Sequence, residues 1–168
     1  MASRLTDHRL SELLHLLSPP AESRLWFGGA SPIGSLRGVS FEAALWKPYS
    51  RGHSIWEQAL HVAYWIYAVR RTLDGAPKGS FPRSPSNWPD LPDRPHQSSW
   101  RSDRGLLKSE YTRFVNVVND LPPHVLDEPA PGKRKYRYID LLFGVVQHNT
   151  HHAAQIQLLK RLYHSGQS

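Results

Sequence analysis

Residues 54–73 read SIWEQALHVAYWIYAVRRTL, and this stretch decides the fold class. Its first four residues form a capping box, in which the Ser54 hydroxyl and the Glu57 carboxylate each satisfy a backbone N–H that the first helical turn leaves unpaired. Behind it Ile55, Ala59, Val62, Ile66, Val69 and Leu73 recur at steps of four and three. A helix turns such a set to one face and buries it against neighbouring helices. "DGAP" at residues 74–77 ends the helix.

The same logic extends in both directions. Upstream, Leu10, Leu13, Leu14 and Leu17 predict a helix over residues 3–17, stopped by "SPP". A Gly-rich connection, "WFGGASPIGSLRG", leads to a short helix at residues 41–46 that Pro48 terminates. Downstream, residues 77–98 form a loop containing "FPRSPSNWPDLPDRP", with Trp88 as the side chain that anchors it. Loops this long inside a compact domain tend to be lids or binding loops. A third long helix over residues 99–120 buries Trp100, Leu107, Tyr111, Phe114, Val118 and Leu121, and "LPP" closes it. The loop "HVLDEPAPGKRK" then reaches a fourth long helix at residues 138–163. With no strand pattern and no internal repeat, the expected fold is all-α: a four-helix bundle with a short extra helix and long Pro-rich loops, in one domain spanning residues 1–168.

Composition narrows the chemistry. A fold of 168 residues buries roughly 70% of its unfolded surface, enough for a sizeable core. There is no cysteine, so disulfides, thiolate metal sites, haem attachment and a protein-borne thiol nucleophile are excluded, and any metal must be held by His, Asp or Glu. No apolar run approaches the roughly 18 residues a membrane span requires, and residues 1–17 lack the continuous apolar segment of a secretory signal. The expectation is a cytoplasmic protein without a membrane partner. The net charge of +7 raises the question of nucleic acid. The basic residues are scattered, however, and the single dense cluster, "GKRKYR" at residues 132–137, is short. A solvated basic surface is the better reading, with no specific nucleic-acid partner.

The fourth helix carries the chemistry. Leu141, Val145, His148, His152, Gln155, Leu159 and Leu162 share one stripe, which points His148 and His152 inward, about 6 Å apart along the axis. His151 lies on a face about 100° away and reads as solvent-facing or supporting. Two inward imidazoles at this spacing can each offer a nitrogen to one divalent ion at about 2.0–2.1 Å. Alone, such a pair on a helix is more often structural than a metal site. On the second helix His61 sits beside the buried stripe, near Glu57, Gln58, Tyr64 and Trp65. Burying several polar rings without partners costs roughly 1–3 kcal/mol each, a cost that a metal removes. His8, His15 and His164 read as exposed, His96 and His124 as loop residues, and His53 as a residue of the site mouth. The carboxylates form no pair suited to acid–base work, and Glu57 is committed to the cap.

These residues resemble a known family. "GHSIWEQALHVAYWIYAVRRTLDG", then "NWP" in a Pro-rich loop, then "SSW", then "QHNTHHAAQIQLLKR" are similar to the DinB-like (YfiT-like) metal-dependent enzymes, and the similarity runs from about Leu10 to Arg161. That family has one His in its second helix and a His-x-x-x-His followed by Gln and an apolar residue in its fourth, here His61, His148, His152 and Gln155–Ile156. The chain departs from the usual pattern at His151 and Ala154. The resemblance implies a four-helix bundle, frequently a homodimer, holding zinc, nickel or a similar divalent ion on three His, with water in the remaining positions. Open positions imply catalysis: a hydrolase with an activated water, or an S-transferase acting on a small-molecule substrate with an external thiol. Gln58, Tyr64 and Gln155 are candidates to orient ligands or substrate, and the loops at residues 26–37 and 81–96 to shape the pocket. The alternative is a non-catalytic bundle that the metal stabilises, with a binding or stress-related role.

Overall fold

The computed structural model describes residues 8–18, 31–75 and 79–166, with the backbone alone at 133 and 134. Along these residues run α1 (Arg9–Leu17), α2 (Pro32–Ser35), α3 (Phe41–Leu45), α4 (Ile55–Leu73), α5 (Gln97–Asn119), a 3-10 turn (Pro123–Asp127), a two-stranded hairpin of β1 (Pro129–Ala130) and β2 (Lys133–Arg137), and α6 (Tyr138–Ser165). The protein is mostly helical. No helix among the described residues is long and apolar enough to cross a membrane.

The α4 capping box forms as its sequence requires: Ser54 Oγ accepts from the Glu57 N–H at 3.2 Å, and Glu57 Oε2 accepts from the Ser54 N–H at 2.7 Å. Such a cap contributes about 1 kcal/mol. From it α4 lies against α5 and α6, and α1 touches the same two helices from another side. One contiguous apolar cluster fills the space between them, drawing Leu13 from α1, Trp56, Leu60 and Ile66 from α4, Leu107 and Phe114 from α5, and Leu142 and Ile156 from α6.

A polar contact ties the end of α1 to α5. The buried Tyr111 hydroxyl donates to the Leu17 carbonyl at 2.6 Å, and burial pushes its pKa up to about 12. Leu17 sits in the last turn of α1, where helix carbonyls lack intrahelical partners. Tyr111→Phe is therefore expected to cost about 1–2 kcal/mol, measured by urea unfolding. An unchanged midpoint would show that water replaces the phenol there without loss.

Three features differ from the sequence expectation. The loop before α6 contains an antiparallel hairpin, with Pro129 opposite Arg137 and Ala130 opposite Lys133. It turns on Gly132, at φ +68°, a conformation that costs glycine little. The pairing is too short to leave an alternating pattern. Next, α2 and the 3-10 turn, which contains His124, occupy stretches expected to be loop. Third, the buried stripe of α6 is Ile139, Leu142, Val145, Asn149, His152, Ile156 and Leu159. Val145, His152 and Leu159 are common to both stripes. Leu141, His148 and Gln155 instead lie half-buried at its margin, and Leu162 is 41% exposed. A 4-3-4-3 sequence line fits two neighbouring faces here, because Leu141 adjoins Leu142 and Gln155 adjoins Ile156. Packing chose the more apolar face. The expected start of α1 at residue 3 lies outside the described residues.

Candidate metal centre

That rotation of α6 places the ligand candidates at the edge of the core. His61 comes from α4 and His148 and His152 from α6, and each offers one nitrogen in a set whose members lie within 4.8 Å of one another. His148 Nε2 and His61 Nε2 are 3.0 Å apart. Two nitrogens at that separation, each about 2.0–2.1 Å from one ion, would subtend an angle of roughly 90–95° there. The ring centroids are 5.0 Å apart for His61–His148, 4.6 Å for His61–His152 and 4.4 Å for His148–His152.

Tautomers follow from the outer contacts of the rings. His61 Nδ1 lies 2.6 Å from the Asn87 backbone oxygen. A carbonyl can only accept, so Nδ1 carries the proton and Nε2 presents a lone pair to the centre. His152 Nδ1 likewise donates to Gln58 Oε1, which leaves its Nε2 as the lone-pair atom. Ligand histidines in metal sites are oriented by this kind of contact.

The rings are also in the ligating charge state. Burial first, and then the neighbouring imidazoles, hold His148 down at about 4 and His152 at about 3. Burial lowers His61 as well, against an opposing contribution from the Asn87 hydrogen bond. Three neutral imidazoles converge, and among the described residues no carboxylate joins their cluster. The nearest candidate in sequence, Glu57, is engaged: burial raises its pKa, but hydrogen bonds from Lys47 and Ser54 outweigh it and hold the carboxyl low. The donor set suits a borderline divalent ion such as zinc or nickel.

A family model described as the DinB superfamily matches residues 34–156, a span that includes all three histidines. The chain belongs to the DinB superfamily. Comparison with curated proteins and with solved structures gave no match. In this DinB-superfamily chain the other site candidates divide. Gln58 is 6% exposed and supports His152 directly. Gln155 faces His152 closely enough to favour its protonated form through a side-chain contact, while its buried Oε1 makes no well-directed hydrogen bond among the described residues, leaving an acceptor beside the centre. The Tyr64 ring packs edge-on against Phe81 and Trp65, so it steadies the start of the Pro-rich loop. His151 is exposed, its ring centroid 5.0 Å from that of His152.

Two further participants come from that loop. Trp88 is stacked between His53 at 3.6 Å and His61 at 3.8 Å, so the expected anchor also forms a wall of the centre, with His53 at its outer side. Asn87 escaped the sequence reading. It adopts φ +73°, a conformation Asn tolerates better than most residues, and its Oδ1 accepts from Trp65 Nε1 at 2.8 Å. The one available signal was Asn within "NWP", where a turn residue precedes an aromatic. Of the loop at residues 26–37, positions 26–30 lie outside the described residues.

Proposed function

We propose that this chain binds one divalent ion, zinc or nickel, through His61, His148 and His152, and that it is a metal-dependent enzyme, either a hydrolase or a low-molecular-weight-thiol S-transferase. The observation that carries this is the convergence of neutral imidazoles from two helices, with the Nδ1 protons of His61 and His152 held by oxygen acceptors. An ion bound by three protein ligands keeps positions open, and there it supplies Lewis acidity that lowers the pKa of a water or a thiol. The protein's own groups do the rest. Asn87 and Gln58 fix the orientation of two rings, Trp88 excludes water from one side of His61, and Gln155 Oε1 offers an acceptor to a substrate hydrogen. Because the chain has no cysteine, sulfur enters only as a small-molecule cosubstrate.

We read α1, α4, α5 and α6 as a four-helix bundle, supported by the contacts of α1 and α4 with both α5 and α6. Pairing with a second copy is supported by Phe143, Leu158 and Leu162 on α6, each more than 40% exposed. A cytoplasmic location and the lack of a specific nucleic-acid partner remain parts of the same proposal. A second reading, a non-catalytic bundle that the metal merely stabilises, is favoured by the engaged state of Glu57, which leaves that carboxylate unfit as a general base.

The test begins with metal analysis of tag-free protein. Wild type is expected to carry about one ion per chain and His148→Ala markedly less; equal contents in both would remove the site. Loaded protein is then assayed with electrophiles and a panel of small thiols, and in parallel with esters and amides. Turnover with thiols selects the S-transferase, and turnover of esters or amides alone selects the hydrolase. No turnover in either set selects the non-catalytic reading.

A further inference from the structure

Asp103 on α5 is a carboxylate with 1% of its surface exposed, and the metal centre makes no direct use of it. Its Oδ2 accepts from Trp56 Nε1 at 2.9 Å. Its Oδ1 makes no directed hydrogen bond among the described residues but lies 2.6 Å from Arg83 Nη2, so the guanidinium charge is its counterpart. A buried charge requires such a partner. Arg83 belongs to the Pro-rich loop, and its side chain remains 32% exposed.

The stretch that Arg83 opens is closed on itself. The Asp90 N–H bonds the Ser84 carbonyl at 2.9 Å, and the Trp88 N–H bonds the Ser86 carbonyl at 2.9 Å. Residues 84–90 therefore behave as one turn-like unit whose seat is set where it is fastened. On its inner side that unit delivers the Asn87 carbonyl to His61 Nδ1 and the Trp88 ring to the face of His61. Asp103 also grips Trp56, five residues before His61 on α4. One buried carboxylate is thus the common reference for the helix that bears His61 and the loop that orients it.

We infer that Arg83, held by Asp103, is a positioning residue for the ligand His61, acting through the 84–90 loop. The inference rests on the metal-binding reading above. Contacts that orient a metal-ligating His typically alter affinity ten- to a hundredfold when lost. Simple electrostatics predicts the opposite sign, since removing a positive charge near a cation site favours the cation.

The experiment measures zinc affinity by competition with a chelator for wild type, Arg83→Gln, Arg83→Lys and Arg101→Gln. It adds amide hydrogen exchange of the metal-free proteins over residues 84–90 and the visible spectrum of the cobalt(II)-loaded forms. Arg83→Gln is expected to bind one ion per chain at saturation with a tenfold or greater loss of affinity, faster exchange in the loop and an altered cobalt spectrum. Arg83→Lys, which can still meet Asp103, should recover most of each. Arg101 is exposed, and its replacement controls for one lost charge. Arg83→Gln with wild-type affinity, or with affinity lost but loop exchange and cobalt spectrum unchanged, overturns the inference. Wild type that binds no zinc overturns the metal reading itself, an outcome seen before any variant is compared.

Discussion

Zinc(II) added to metal-free protein is expected to raise its unfolding free energy by about 4 kcal/mol once the free ion stands a thousandfold above its dissociation constant, because the native fold assembles the site and the unfolded chain does not. The His61→Ala/His148→Ala double variant should gain almost nothing. Ten histidines in the chain give the unfolded state some zinc affinity of its own, so the variant is the necessary baseline. A gain of equal size in wild type and variant would mean that zinc acts elsewhere. The pH dependence follows from burial. His148 and His152 are held at about 4 and about 3, below the ordinary imidazole value of 6.5. As pH falls below 6.5 the unfolded chain takes up protons that the native state refuses, so the metal-free protein loses stability downward from there and levels off below about 3. Above pH 6.5 these groups contribute no slope. Since His148 and His152 are already neutral in the native state, zinc affinity should fall less steeply from about pH 8 to 6 than that of an unstructured His peptide, in which protons compete for every ring. An equally steep decline across that window would contradict the buried geometry.

The second large effect lies two and a half turns further along α4. Arg70, 9% exposed, donates through Nε and Nη2 to Glu110 Oε2 at 3.1 and 3.0 Å, and through Nη1 to Asp74 Oδ2 at 3.1 Å. Glu110, 2% exposed, receives Arg113 Nη1 on its other oxygen at 3.0 Å. Arg70→Met strands a buried carboxylate and is expected to cost about 3–5 kcal/mol. Arg113 keeps one contact, which favours the lower end. Replacing both partners, Arg70→Met with Glu110→Leu, should return stability to near the wild-type value, because no buried charge is left uncompensated; Asp74 and Arg113, which each lose a contact, are exposed. Urea unfolding of the two single variants and the double closes the cycle. A double variant as unstable as Arg70→Met would show that packing shape, not charge, is what the pair supplies.

Much of the helical frame was legible without coordinates. Ser54 and Glu57 cap α4 within a single turn, and Pro48 and Gly75 interrupt helices by rules that act within a few residues. The candidate ligands were legible for a related reason: His148 and His152 are one turn apart on one helix, and His61 falls beside an unambiguous stripe on another. For Tyr64, a place on the helix near His61 does not say which neighbour its ring meets; Phe81, 17 residues away, decided that.

By itself the sequence determined, to within about two residues, where α4, α5 and α6 start and stop, that nitrogen or oxygen rather than sulfur must hold any metal, and which imidazoles share a helical face. Only the tertiary structure decided which of two adjoining faces of α6 turned inward, that Asn87 and Trp88 close over His61 from 26 and 27 residues away, and that Asp103 fastens Arg83. The difference is one of range. Caps and helical spacing are fixed by hydrogen bonds and rotation within a turn, whereas the roll of a helix and the seat of a loop depend on contacts between distant segments, for which the chain carries no period.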